Sequence, residues 1–125
     1  MPKLLIIDDE ADIRKSAQNF FKKRGVETFI AANGRDGIDI IAAQCPDLVL
    51  LDMRMEGMTG IEVLREVRSK NLLTKVIMVT GVEDMEVTLE AQDLGVLDFV
   101  HKPLNLSELK NAADALDNCV WQRRL

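Results

Sequence analysis

Four apolar runs set the frame of this chain, and each stops at polar residues. Leu4-Leu5-Ile6-Ile7 stops at Asp8-Asp9, and Leu48-Val49-Leu50-Leu51 stops at Asp52. Val76-Ile77-Met78-Val79 stops at Thr80, and the run from Leu97 to Val100, broken by Asp98, stops at His101-Lys102. Runs without polar alternation suit strands covered on both faces, as in a parallel sheet. Between them the apolar residues recur three and four apart, which is helical spacing. Ile13, Ala17, Phe20 and Phe21 share one face of a first helix that closes at Lys22-Lys23-Arg24 and Gly25. Val26 to Ala31 reads as a strand and Asn33-Gly34 as a turn. Ile38, Ile41 and Ala42 mark a second helix, which Pro46 keeps from continuing.

Thr59-Gly60-Ile61-Glu62 is a capping-box pattern. The helix it opens buries Ile61, Leu64 and Val67. Lys75 to Thr80 is the fourth strand, a helix follows from about Glu83 to Leu94, and Val96 to Val100 is the fifth strand. Asn105-Leu106-Ser107-Glu108 offers a second cap, ahead of a helix with Leu106, Leu109, Ala113, Leu116 and Val120 on one face. Strand followed by helix, five times over, predicts an α/β fold. Right-handed crossovers then give a doubly wound parallel sheet with helices on both faces.

Composition narrows the class. A length of 125 residues suits one domain, spanning 1–125, and 47% hydrophobic residues suffice for a core. The formal net charge of -5 argues against a broad nucleic-acid surface. No apolar run approaches the ~20 residues of a membrane span, and Asp8-Asp9-Glu10 cuts the first run too short for a signal peptide. Cys45 and Cys119 lack C-x-x-C spacing and read as reduced thiols of a cytoplasmic protein. Met53, Met55 and Met58 read as anchors for the loop after Asp52, and His101, the one histidine, as a surface residue.

The chemistry lies where the strands end. In open α/β sheets ligands bind at the carboxyl ends of the strands. If the strands are parallel neighbours, Asp8, Asp9, Asp52, the Thr80 hydroxyl and the Lys102 ammonium converge there. Carboxylates held close together call for a cation. Two or three protein oxygens suit Mg²⁺, which keeps several of its waters. A carboxylate beside Mg²⁺, with a lysine and a hydroxyl opposite, is a phosphoryl-binding arrangement in which aspartate can be the nucleophile.

These motifs resemble those of the receiver domains of two-component response regulators, the family of the chemotaxis regulator. The matching residues are Leu-Leu-Ile-Ile-Asp8-Asp9-Glu10, then Leu-Asp52-Met-Arg-Met with Gly57-Met58 and Gly60, then Val-Thr80-Gly81, then Asp98-Phe99-Val-His-Lys102-Pro103. The resemblance implies a flavodoxin-like sheet of order 2-1-3-4-5 and a cis bond before Pro103. It implies that Asp52 is the phosphoacceptor, that Asp9 binds Mg²⁺ directly with Asp8 in support, and that the Arg54 carbonyl is the third protein ligand. Thr80 would donate to the phosphoryl group, Lys102 would pair with it, and Phe99 would move with Thr80 as the switch. The donor would be a sensor histidine kinase or phosphotransfer protein. The recipient of the signal would be an effector protein, an output domain or a second copy, without direct contact with nucleic acid or membrane. Such a domain catalyses its own modification and is not an enzyme in the usual sense.

The chain departs from the family at three points. Glu56 stands where many receivers have proline, Thr59 where aspartate is frequent, and Phe99 lacks the hydroxyl of the common tyrosine. Two other functions stay open at this point. One is a phosphatase of the haloacid dehalogenase type, although Glu10 stands where its second aspartate is expected. The other is a protein-binding receiver that is not phosphorylated.

Overall fold

The structure, a computed structural model, describes residues 1–70, 72–81 and 85–123. Five strands alternate with five helices: β1 (Lys3–Ile7), α1 (Ala11–Lys22), β2 (Glu27–Ala31), α2 (Gly34–Gln44), β3 (Leu48–Asp52), α3 (Gly60–Ser69), β4 (Val76–Thr80), α4 (Met85–Asp93), β5 (Asp98–His101) and α5 (Leu106–Arg123). The sheet order is β2-β1-β3-β4-β5, with every neighbouring pair parallel. This is the doubly wound, flavodoxin-like arrangement. The chain goes out to β2, crosses back over β1 to β3, and then winds the other way. The direction reverses between β1 and β3, and Asp8 and Asp52 sit at the ends of those two strands.

Strand periodicity divides the core in two. Leu5, Ile7, Val49, Leu51, Val76 and Met78 face α2, α3 and α4, where Ile38, Ile41, Leu64, Val67 and Ala91 complete the packing. Leu4, Ile6, Leu48, Leu50, Ile77, Val79 and Val100 face α1 and α5, against Ala17, Phe21, Leu109, Ala112 and Leu116. The same parity extends to the strand ends. Asp52 follows Leu50 onto the α1/α5 face, whereas Thr80 follows Met78, and His101 follows Phe99, onto the α3/α4 face. All five positions of β3 and of β4 are buried, which explains their unbroken apolar runs. β2 and β5 are edge strands, exposing Glu27 and Ile30 in β2 and Asp98 and His101 in β5.

Several boundaries differ from the sequence reading, each for a local reason. β2 starts at Glu27 because the Val26 N–H is taken by the Phe21 carbonyl, closing α1. β5 starts at Asp98 because the Val96 N–H donates back to Ala91 at the end of α4. Asn33 is the N-cap of α2 rather than a turn residue, its side chain accepting from the Asp36 N–H. Ala42 and Leu106 face solvent, and Ala112 takes a place in the α5 core. The expected start of the fourth helix at Glu83 lies outside the described residues. The capping box at Thr59 and Glu62 forms as read, and so does the cap of Asn105 on the Glu108 N–H.

Candidate functional site

Asp52 ends the central strand and is 1% exposed, held between β1 and β4. One of its oxygens, Oδ1, accepts from the Lys102 ammonium at 2.8 Å and from the Arg54 N–H at 3.2 Å. The other, Oδ2, is buried without a hydrogen-bond partner among the described residues. Asp8, one residue past β1, is also buried, and its Oδ1 accepts from the Glu10 N–H at 2.9 Å. Asp9 is exposed, and its Oδ2 accepts from the Glu56 N–H at 3.2 Å. One oxygen from each of Asp8, Asp9 and Asp52 lies within 4.8 Å of the others.

Burial dominates the electrostatics. Desolvation pushes the Asp8 carboxyl up to about 6, only partly offset by the Glu10 N–H, with the Asp52 charge adding to the rise. Desolvation also raises Asp52, against the opposing pull of Lys102. For Lys102, burial lowers the affinity for its proton, but Asp52, Asp8 and Glu10 together outweigh it, and the net shift is upward. The lysine therefore stays charged, and among the described residues it is the one ammonium facing the three carboxyl groups, the Arg14 guanidinium being taken by the Asp8 backbone carbonyl. That deficit of positive charge, the unpartnered Asp52 Oδ2 and the all-oxygen donor set together fit a hard divalent cation.

The loop after Asp52 is shaped by close backbone approach. Gly60 opens α3 with its N–H on the Met53 carbonyl, and a Cβ there would sit 2.2 Å from the Asp52 carbonyl oxygen. Only glycine lets α3 start this close to the end of β3. Met53 and Met55 are buried beneath the loop, the anchoring role expected of them. Above it an open cleft of about 500 Å³ is lined by Asp9, Arg54, Glu56 and Lys102 among others. The Lys102–Pro103 bond is cis, as expected.

Thr80 ends β4, is 4% exposed, and places Oγ1 3.4 Å from His101 Nδ1. Phe99 is half-buried and packs against the α3/α4 side of the core. All of the expected residues from Asp8 to Lys102 thus gather at the strand ends, with Phe99 two residues back along β5. Val82, two residues past Thr80, lies outside the described residues. The contact missed from the sequence is that of His101, which is exposed but reaches Thr80. Spacing along either strand gives no signal for it, since it depends on lateral register. Thr80 and His101 end neighbouring strands and are register partners.

The pattern of the response regulator receiver domain matches residues 4–114. Sporulation initiation phosphotransferase F of Bacillus subtilis (strain 168) is 39% identical over 110 residues, covering 88% of this chain and 89% of that protein. Regulatory protein AtoC of Escherichia coli (strain K12) is 41% identical over 107 residues, covering 86% of this chain but only 23% of AtoC. A response regulator receiver domain protein from Clostridium thermocellum superposes with a TM-score of 0.87 at 27% identity, over 99% of this chain and 98% of that one. The chain belongs to the response regulator receiver domain family.

It is a signalling domain of two-component systems, and the phosphatase alternative is set aside. Receiver domains bind Mg²⁺ at an acidic pocket, and an aspartate cluster of that kind is present here. They act with histidine kinases or phosphotransfer proteins and with output domains. No helix among the described residues is long and apolar enough to cross a membrane.

Proposed function

We propose that residues 1–125 form one receiver unit in which Asp52 accepts a phosphoryl group from the phosphohistidine of a sensor kinase or phosphotransfer protein. An Asp52 oxygen attacks phosphorus, the phosphorus–nitrogen bond breaks, and the leaving imidazole takes up a proton. The product is an acyl phosphate on the protein. The observation that carries this reading is the state of Asp52 itself. It is a buried carboxylate at the topological switch point, with one oxygen unpartnered among the described residues and the other held by Lys102.

Asp9 and Asp52, with the Arg54 backbone carbonyl and with Asp8 in support, would hold Mg²⁺. When bound, the ion supplies positive charge that the site otherwise lacks. The protein groups do the rest. Lys102 now neutralises Asp52, and after transfer the same ammonium faces the phosphoryl oxygens. Thr80 supplies a hydroxyl donor to one of those oxygens, and that charged acceptor draws it inward. Phe99 then follows into the space behind it, reshaping the surface of α4, β5 and α5 for an effector, an output domain or a second copy. The domain catalyses only its own phosphorylation and dephosphorylation.

Incubation with a phosphorylated histidine donor and Mg²⁺ tests the assignment. The parent becomes labelled at one site, and Asp52→Asn is not. Full labelling of Asp52→Asn would overturn it.

A further inference from the structure

Thr80 and His101 are register partners on β4 and β5, and both side chains belong to the α3/α4 face. The Thr80 hydroxyl is buried and needs a partner inside the protein. It does not find one at Asp52 Oδ2, which is unpartnered among the described residues. It meets His101 Nδ1 at 3.4 Å instead. The backbone of His101 is itself anchored. Its backbone N–H donates to Glu108 Oε2 at 3.3 Å, and the Glu108 N–H in turn donates to Asn105 Oδ1 at 3.1 Å, at the start of α5.

We propose that His101 is a positioning residue for the switch: its Nδ1 accepts the Thr80 hydroxyl proton and holds that hydroxyl away from Asp52 in the unphosphorylated protein. The proposal rests on the reading of Asp52 as phosphoacceptor and of Thr80 as the donor to the phosphoryl group. Activation is then an exchange of hydrogen bonds. The hydroxyl leaves a neutral ring nitrogen for a charged phosphoryl oxygen, which is the stronger acceptor. The net cost is one neutral hydrogen bond, so His101 sets a threshold rather than a block. A side chain at 101 without an acceptor should lower that threshold roughly two- to tenfold, the range for one such bond. His101 is solvent-exposed, so the ring can be replaced without opening a core cavity.

The experiment is a titration with beryllofluoride, a phosphoryl mimic, in Mg²⁺, on the parent, His101→Leu and His101→Asn. Each is measured again in a Thr80→Val background. His101→Leu should bind beryllofluoride severalfold more tightly than the parent. His101→Asn, whose amide oxygen takes the place of Nδ1, should restore the parent value. In the Thr80→Val background the substitutions at 101 should make no difference. In parallel, ¹⁵N spectra of the metal-free parent should show Nδ1 as a hydrogen-bonded, unprotonated nitrogen whose shift changes in Thr80→Val. Equal affinities for parent and His101→Leu, or an effect that survives Thr80→Val, would overturn the proposal while leaving Asp52 in its role. A parent that binds no beryllofluoride at Asp52 would remove the phosphoacceptor reading, and this one with it.

Discussion

Asp8→Asn should make the metal-free protein more stable at neutral pH. Asp8 is 2% exposed, and burial raises its carboxyl from the ordinary 3.8 to about 6. Between those values the folded protein holds a proton that the unfolded chain has already lost. Stability therefore falls as pH rises through that window, and the full cost is in place above it. A rise of that size corresponds to about 3 kcal/mol. Asparagine keeps an oxygen for the Glu10 N–H, bound at 2.9 Å, and carries no charge into the buried site. In chelator at pH 7.5 the variant should gain up to about 3 kcal/mol, or about 10 °C in Tm for a domain of this size. Near pH 4 the two proteins should converge. The upward shift of Asp52 acts in the same direction in both, and the difference between them reports on Asp8 together with its repulsion of Asp52. Added Mg²⁺ should reverse the order, because an ion that binds only the folded state stabilises the parent more. Urea unfolding at pH 4, 5, 6 and 7.5, with chelator and with Mg²⁺, measures all of this. Equal stabilities in chelator at pH 7.5, or a gap that persists at pH 4, would refute the reasoning.

Asp9→Ala should weaken Mg²⁺ binding more than Lys102→Ala does, because on the proposed reading it removes an oxygen ligand while the lysine answers the phosphoryl charge; calorimetric titration ranks the two. Arg54→Asn should speed loss of the acyl phosphate, since it replaces a long side chain lining the cleft over Asp52 with a short one able to orient water. A decay time unchanged from the parent would contradict that. Phe99→Ala should leave Asp52 labelling nearly intact and weaken phosphorylation-dependent association by roughly a kcal/mol or two, the worth of a partly exposed ring. Analytical ultracentrifugation or partner titration, with and without phosphorylation, reads it out.

The features legible in the sequence were those that depend on burial and on local backbone chemistry. β3 and β4 announced themselves because strands covered on both faces admit no polar residue until the chain leaves the core, and the first polar residues, Asp52 and Thr80, mark the site. The caps at Thr59 and Asn105 were legible because a hydroxyl or amide three residues ahead of a glutamate has few other uses. Asn33 was misread as part of a turn because an asparagine before a glycine suits both a turn and a cap, and only the position of α2 decides between them. His101 was read as a surface residue, which its exposure bears out, but its ring contact depends on lateral register between β4 and β5. Spacing along one strand carries no trace of that. Nor does the sequence announce that the glycine at position 60 lies against the Asp52 carbonyl, because two residues eight apart meet there only through a folded loop.

The alternation of side chains at the strand ends makes the sheet a partition. The carboxylate of Asp52 belongs to the side of α1 and α5, while Thr80, His101 and Phe99 belong to the side of α3 and α4. On the proposed reading the bond is made on one side of this wall and α4 answers on the other, with the Thr80 hydroxyl as the doorway between them and α5 sharing the side of Asp52. Substitutions of exposed residues on α4 can retune who listens while leaving the Asp52 side untouched, whereas substitutions at Thr80 or His101 act on both sides at once. A domain partitioned in this way can be coupled to new recipients through α4 without altering the side on which Asp52 lies.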